Sequence, residues 1–266
     1  VCARTRPRII LTESPSNPVL RISDLAAIRE IATECGALFA VDNTFLSPAL
    51  QNPIDFGADL VIHSTTKYIN GHSDVVGGAV IAATDELAER CAYWANVIGI
   101  TGAPFDSFMT LRGIRTLHPR IRQHEESAAE LARLLEAQPN VGKVYYPGLE
   151  SHDGHALAKT QQRGFGGMIS FEIDGGEAAV RAFVENLGLF SLAESLGGVE
   201  SLVCHPASMT HAPVSEERKA VAGVTPTLIR LSVGLESTAD LVADLHVALE
   251  AARKAPQLSA VAAAGA

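Results

Sequence analysis

The sequence predicts an α/β protein: a doubly wound, mostly parallel sheet followed by a smaller α+β domain. Three observations predict it. Over residues 9–82 short apolar runs alternate with helical periodicity, the rhythm of right-handed parallel crossovers. A long helical stretch follows over residues 106–137, and beyond it short strands and helices interleave in a different pattern. The expected layout is a large domain at 1–125, an α+β domain at 126–254 and a small, alanine-rich flexible tail at 255–266.

The elements follow in order. Residues 9–12 read as a short buried strand, and Ser14, Pro15, Ser16, Asn17 and Pro18 as a rigid turn. Asp24 is a good N-cap for a helix with Leu25, Ile28, Ala32 and Cys35 on one face, closed by Gly36. A strand over residues 37–41 leads to Asp42. Ser47 and Pro48 carry the cap and first-turn signature of a short helix. Gly57 precedes a strand at 60–62, and Lys67 stands just beyond it. Residues 75–82 are a further apolar run, and Asp85 caps a helix to about residue 98. The stretch from Asp106 is expected to bend near Pro119. Strands follow at 143–146 and 168–173, near Leu189 and Leu202, and at 228–233. Helices are expected near 156–162, at 177–186 and from Thr238. No internal repeat is present.

Composition bounds the function. With 266 residues, 47% hydrophobic and 19% charged, the chain can bury a large core. A net charge of -9 without a basic block argues against nucleic acid. No apolar run is long enough to span a membrane, and no signal-peptide pattern opens the chain. Cys2, Cys35, Cys91 and Cys204 are scattered, as free thiols of a cytoplasmic protein would be. The opening VCARTRPRIIL runs straight into a strand, with two strand candidates before Asp42, and reads as the continuation of something longer.

The chemistry concentrates where Asp42 and Lys67 meet the carboxyl ends of strands, the edge at which open α/β sheets bind ligands. A lysine beside Ser64, Thr65 and Thr66, with a carboxylate on a neighbouring strand, suits pyridoxal 5'-phosphate. That cofactor needs an amine for its aldehyde, donors for its phosphate and an acid facing its ring nitrogen. Ser64 and Thr66 share one side of an extended segment by the two-residue period. Each residue also has a plainer reading. Lys67 fits a surface lysine, Asp42 a cap for the turn after it, and Ser64 and Thr66 ordinary turn chemistry. Arg230 lies inside an apolar strand, where a charge must be paired. A substrate carboxylate and a structural ion pair both satisfy it. His152 with His155, and His205 with His211, lack a third ligand at metal-type spacing, so no metal is expected. No GxSxG elbow, Walker loop or dinucleotide fingerprint is present.

The motifs SPSNP (14–18), VDNTF (41–45), HSTTKYINGHSDVVGG (63–78) and AESLGGVESL (193–202) resemble the Cys/Met-metabolism family of fold-type I pyridoxal-phosphate enzymes. NTFLSPALQNP, WANVIGITGAPFDSF, GFGGMISFE and ESLVCHPASMTHA extend the resemblance over residues 9–249. It implies the latter part of a fold-type I large domain followed by the smaller C-terminal domain. It implies Lys67 as the Schiff-base lysine, Asp42 as partner of the pyridinium nitrogen, and Ser64 and Thr66 at phosphate positions. Asn17, Ser195 and Arg230 match positions holding the cofactor's hydroxyl side and the substrate carboxylate. Glu194 matches a position that varies between replacement and elimination enzymes.

The implied reaction is γ-replacement on an O-acyl-L-homoserine, with succinyl the expected acyl group, by L-cysteine to give L-cystathionine, in methionine biosynthesis. γ-Elimination and sulfhydrylation are the alternatives within the family. Amino-acid substrates and a cytoplasmic homotetramer are the implied partners and setting, with neither nucleic acid nor membrane. The resemblance also implies a substantial N-terminal portion ahead of SPSNP, supplying a ring-stacking tyrosine, a phosphate-binding helix start and a Tyr/Arg pair for a neighbouring subunit. These motifs are not in this sequence, which leaves exposed sheet edges and apolar surface as an expectation and a non-catalytic remnant as the alternative of another class.

Overall fold

In a computed structural model, which describes residues 2–264 (without the side chains of residues 3 and 256–264), the chain forms two compact units interleaved in sequence. The first comprises residues 1–17, 21–121 and 153–165, and the second residues 18–20, 122–152 and 166–266.

The first unit opens with one turn, α1 (Cys2–Thr5), and the strand β1 (Ile9–Glu13). α2 (Leu25–Cys35) begins where the Asp24 side chain accepts from the Ala27 N–H and ends at Gly36, whose φ of 65° suits a residue without Cβ. β2 (Leu38–Asp42), α3 (Ser47–Leu50), a 3-10 turn (Pro53–Phe56), β3 (Leu60–Ser64) and β4 (Gly78–Ala82) follow. β1, β2 and β3 are parallel neighbours, with Glu13 opposite Asp42 and Asp42 opposite Ile62. β4 returns antiparallel, setting Gly78 opposite Ser64, and starts later than its apolar run predicts. The core under this sheet is Leu25 and Ala32 of α2 against Phe39, Val41, Ala58 and Val61. At its edge Asp59 accepts from the Arg29 guanidinium and from the Phe39 N–H, both at 2.8 Å.

Two helical expectations need correction. The Thr84 side chain, not Asp85, caps α4 (Asp85–Ile98), accepting from the Leu87 N–H; a hydroxyl one residue earlier reaches the first turn's donors better. The stretch from Asp106 is two helices, α5 (Pro104–Ile114) and α6 (Leu117–Glu136), broken at residues 115 and 116 and not at Pro119. Pro119 sits in the first turn of α6, where its missing N–H costs nothing. α7 (His155–Gln161) returns to the first unit, where Gln161 donates to Ser23 O at 2.9 Å. α4 buries no residue, and Trp94, Ile98, Phe105, Phe108 and Leu111 are more than half exposed. An open apolar groove of about 790 Å³ runs past Leu60, Ile62, Val80, Leu87, Trp94 and Ile100.

The second unit is built on a five-stranded sheet. Its strands β5 (Val141–Tyr145), β6 (Met168–Ile173), β7 (Ser191–Leu192), β8 (Leu202–Cys204) and β9 (Leu228–Ser232) stand in the order β5-β6-β9-β8-β7. Only the short β7–β8 pair is parallel. α8 (Gly176–Glu185) and α10 (Thr238–Ala264) pack on each other, and Phe171 meets Phe183 edge to face at 5.4 Å. α9 (Glu216–Ala222) was not anticipated; its seven residues are too few for a periodic signal. The tail expected at 255–266 continues as helical backbone to Ala264, in keeping with alanine's helix propensity, and residues 265 and 266 lie outside the described residues. Among the described residues no helix is long and apolar enough to cross a membrane.

Candidate active site

The first unit gathers five of the eight candidate residues at one sheet edge. Parallel β1, β2 and β3 end together, so the chain that follows each leaves from the same side. β1 delivers the turn bearing Asn17, whose N–H donates to Glu13 Oε2 at 3.0 Å. β2 ends at half-buried Asp42, and β3 at half-buried Ser64 with Thr66 and Lys67 just beyond.

Asp42 Oδ1 accepts from the Thr44 N–H at 2.9 Å, so the turn-capping role is present and engages one of its oxygens. The Thr44 hydroxyl accepts in turn from the Ser64 N–H at 2.9 Å, tying the ends of β2 and β3 together. Thr44 lies inside the VDNTF motif but has no role assigned there; its hydroxyl between the two strand ends supplies one. Thr66 lies past the end of β3 in a turn, so the two-residue period that aligns it with Ser64 does not extend to it. Its hydroxyl accepts from the Gly77 N–H at 3.0 Å and lies 3.3 Å from Gly77 O. A Cβ on Gly77 would stand 2.8 Å from Thr65 Oγ1, which explains the glycine where β4 approaches this turn.

The backbone around Lys67 is closed on itself. Lys67 N–H donates to Ser64 O at 3.2 Å, Asn70 N–H to Thr65 O at 2.9 Å, and Gly71 N–H to Lys67 O at 2.7 Å. Asn70 also reaches Asp74 Oδ1 at 2.7 Å. Lys67 itself is half-buried, whereas Tyr68 beside it is fully buried. None of the five candidates lines the apolar groove, though His63 and Gly78, the neighbours of Ser64, do.

The remaining three candidates meet in the second unit. Arg230, on β9 between Ser170 of β6 and Cys204 of β8, is 1% exposed. Its Nη2 donates to Glu194 O at 2.6 Å and to Ser195 O at 3.2 Å. Glu194 and Ser195 therefore touch Arg230 through their carbonyls. The loop carrying them is fastened to the end of β9. Gly197 N–H donates to Ser232 Oγ at 2.8 Å, and Glu236 accepts from the Ser201 N–H at 2.7 Å and from its hydroxyl at 2.8 Å. Gly234 leaves room for this clasp, since a Cβ there would lie 2.5 Å from Ser201 N. His211 stands within electrostatic reach. Burial pulls its pKa down, and the charges of Arg230 and Lys219 pull it further, so its neutral form is favoured. Both His205 ring nitrogens have local partners, Nε2 with Pro226 O at 2.9 Å and Nδ1 with the Ser208 hydroxyl at 2.7 Å.

Comparison with known proteins is specific. Residues 2–250 match the model of the family described as Cys/Met metabolism PLP-dependent enzyme. Cystathionine gamma-synthase of Escherichia coli (strain K12) is 54% identical over 249 residues, covering 94% of this chain and 64% of that protein. Cystathionine gamma-lyase of Dictyostelium discoideum is 48% identical over 92% of this chain and 63% of its own length. A crystal structure of cystathionine gamma synthase from Xanthomonas oryzae pv. oryzae in complex with cystathionine superposes with a TM-score of 0.94 at 59% identity, over 96% of this chain and 66% of that one. The chain thus spans about two thirds of the length of these relatives. The α/β fold read from the sequence is that of these enzymes.

His63, one residue before Ser64, is 3% exposed, and its Nδ1 has no hydrogen-bond partner among the described residues. Burial lowers its pKa, and the charge of Asp42 offsets part of that. The unfolded chain therefore binds a proton first as pH falls below about 6.5, so stability present above that pH is lost on acidification. Between about pH 7.5 and pH 5.5 the urea midpoint should fall by more in the unaltered protein than in His63→Gln.

Proposed function

The chain belongs to the Cys/Met metabolism family of PLP-dependent enzymes, and from that premise we propose that its protein catalyses γ-replacement on an O-acyl-L-homoserine. L-cysteine is the incoming thiol and L-cystathionine the product. The observation that carries the reading is the placement of Asp42 and Lys67 at the carboxyl ends of two adjacent parallel strands.

The donor set fits pyridoxal phosphate: an amine, an acid one strand away, and hydroxyls between them. When bound, that group supplies an electron sink for charge developing at the substrate α-carbon. Asp42, with one oxygen held by Thr44, would present its negative charge to the ring nitrogen and keep a proton there. Ser64 would donate to the phosphate, and Thr66 would do so on giving up its contact with Gly77 O. Asn17 and Ser195 are assigned to the cofactor's hydroxyl side and the substrate carboxylate. Lys67 Nζ takes the proton from the substrate α-carbon and moves protons at the β-carbon. Arg230 binds the substrate α-carboxylate, its fork aimed by the carbonyls of Glu194 and Ser195. At the γ-carbon the C–O bond to the acyl group breaks and a C–S bond to cysteine forms. The thiol proton leaves with the acyl group as carboxylic acid.

γ-Elimination is the second reading, favoured by the lyases among the relatives, with Glu194 beside the substrate as the residue that separates the two. The catalytic protein is taken to be a cytoplasmic homo-oligomer acting on free amino acids.

Steady-state assays offering cysteine, sulfide or cystathionine separate these reactions. Cystathionine formation should dominate, and cleavage of cystathionine far exceeding its synthesis rejects the replacement reading. Lys67→Ala should lose turnover and the borohydride-stable pyridoxyl mark together; a mark that persists on another residue rejects Lys67. Arg230→Ala should weaken binding of the amino-acid substrate by about 2–5 kcal/mol, the range for truncating one partner of a buried charge pair. It should leave cofactor uptake intact, so an unchanged substrate affinity overturns the role given to Arg230.

A further inference from the structure

Arg120, near the start of α6, lies outside every candidate motif and is only 6% exposed. Its Nη1 donates to Tyr68 O at 2.9 Å, its Nη2 to Gly113 O at 2.9 Å and Ile69 O at 3.4 Å, and its Nε to Thr116 Oγ1 at 3.1 Å. All four acceptors are neutral oxygens. Burying a guanidinium against carbonyls is costly unless the geometry is good, and its rigid fork makes such an array directional. Two of those acceptors are the carbonyls of the first and second residues after Lys67. The others belong to the junction of α5 and α6.

The surroundings are cut to admit the clamp. Gly71, at φ 72°, lies where a Cβ would come within 2.0 Å of Arg120 Nη1. A Cβ on Gly113 would stand 2.3 Å from Asn70 O, so the helix junction and the loop after Lys67 meet backbone to backbone. On its other side the loop is held by the Thr66–Gly77 and Asn70–Thr65 bonds already described.

We propose that Arg120 is a positioning residue for Lys67. By tying the peptide groups of Tyr68 and Ile69 to the α5–α6 junction, it fixes the direction in which the lysine extends from the end of β3. Arg120 then acts only through backbone and holds no part of the substrate or cofactor. The inference rests on the reading of Lys67 as the cofactor lysine.

The test is the rate at which pyridoxal phosphate, added to the intact protein and fixed by borohydride, marks Lys67 relative to the other lysines, Lys143, Lys159, Lys219 and Lys254, followed by peptide mapping. Arg120→Lys keeps the charge and loses the fork; Thr116→Val leaves Arg120 in place and removes its Nε acceptor. With folding checked by circular dichroism, the relative rate at Lys67 should fall by about 10–100-fold in Arg120→Lys, the scale expected when a reacting group is misplaced by about 1 Å. It should fall by a smaller factor in Thr116→Val. A folded Arg120→Lys protein with an unchanged relative rate overturns the proposal. Should Arg120→Lys not fold, Thr116→Val decides alone, and an unchanged rate there overturns it. Absence of any mark on Lys67 in the unaltered protein is a different result, because it rejects the cofactor-lysine reading itself.

Discussion

The functional arrangement of the first unit depends on one constraint, the parallel register of β2 against β3. Asp42 stands opposite Ile62, so β3 reaches the sheet edge two residues later in pairing, at Ser64. The Thr44 hydroxyl, bonded to the Ser64 N–H, fixes that offset beyond the last ladder pair. A slip of one residue would turn His63 and Ser64 through the sheet, placing a buried imidazole at the edge and a serine in the core. The acid and the amine are therefore held by the same pairing that builds the hydrophobic layer of Phe39, Val41 and Val61 against α2.

Arg230 illustrates a different way of holding a charge. It lies in the middle of a strand whose neighbours are buried, yet its guanidinium is met by main-chain carbonyls from a loop. That loop is in turn fixed by Glu236, a carboxylate that accepts from backbone and hydroxyl of Ser201. The two carbonyls orient the guanidinium fork. Gly234 marks a close approach of this loop to the strand, and Gly197 ties the loop to it through Ser232.

Much of this could be read from residue order, for reasons that are local. Asp24 and Gly36 bracket α2 because an N-cap acceptor and a left-handed C-cap are short-range chemistry. The apolar run before Asp42 marks β2 to within one residue at each end, whereas β3 runs two residues past its apolar run, to Ser64, with alternate residues buried. What escaped was set by tertiary contact. The antiparallel return of β4 depends on Gly77 meeting Thr65 and Thr66, which periodicity does not encode. The break between α5 and α6 follows from Thr116 bonding back to Gly113 and from Arg120 gripping a loop far away in sequence, while the proline that looked like the culprit is harmless. Thr44 and His63 stand within the family motifs without a role that residue order assigns them, and Arg120 lies outside every motif, so their parts follow only from contacts across the fold.

The aromatic and aliphatic side chains that α4 and α5 turn to solvent, Trp94, Ile98, Phe105, Phe108 and Leu111 among them, make this face of the molecule adhesive. Attraction between such faces has the thermal signature of hydration: it weakens in the cold and strengthens in the presence of sulfate or phosphate. Any association through these side chains would therefore respond to temperature and to the choice of anion as well as to concentration, weakening on chilling and strengthening with salting-out anions.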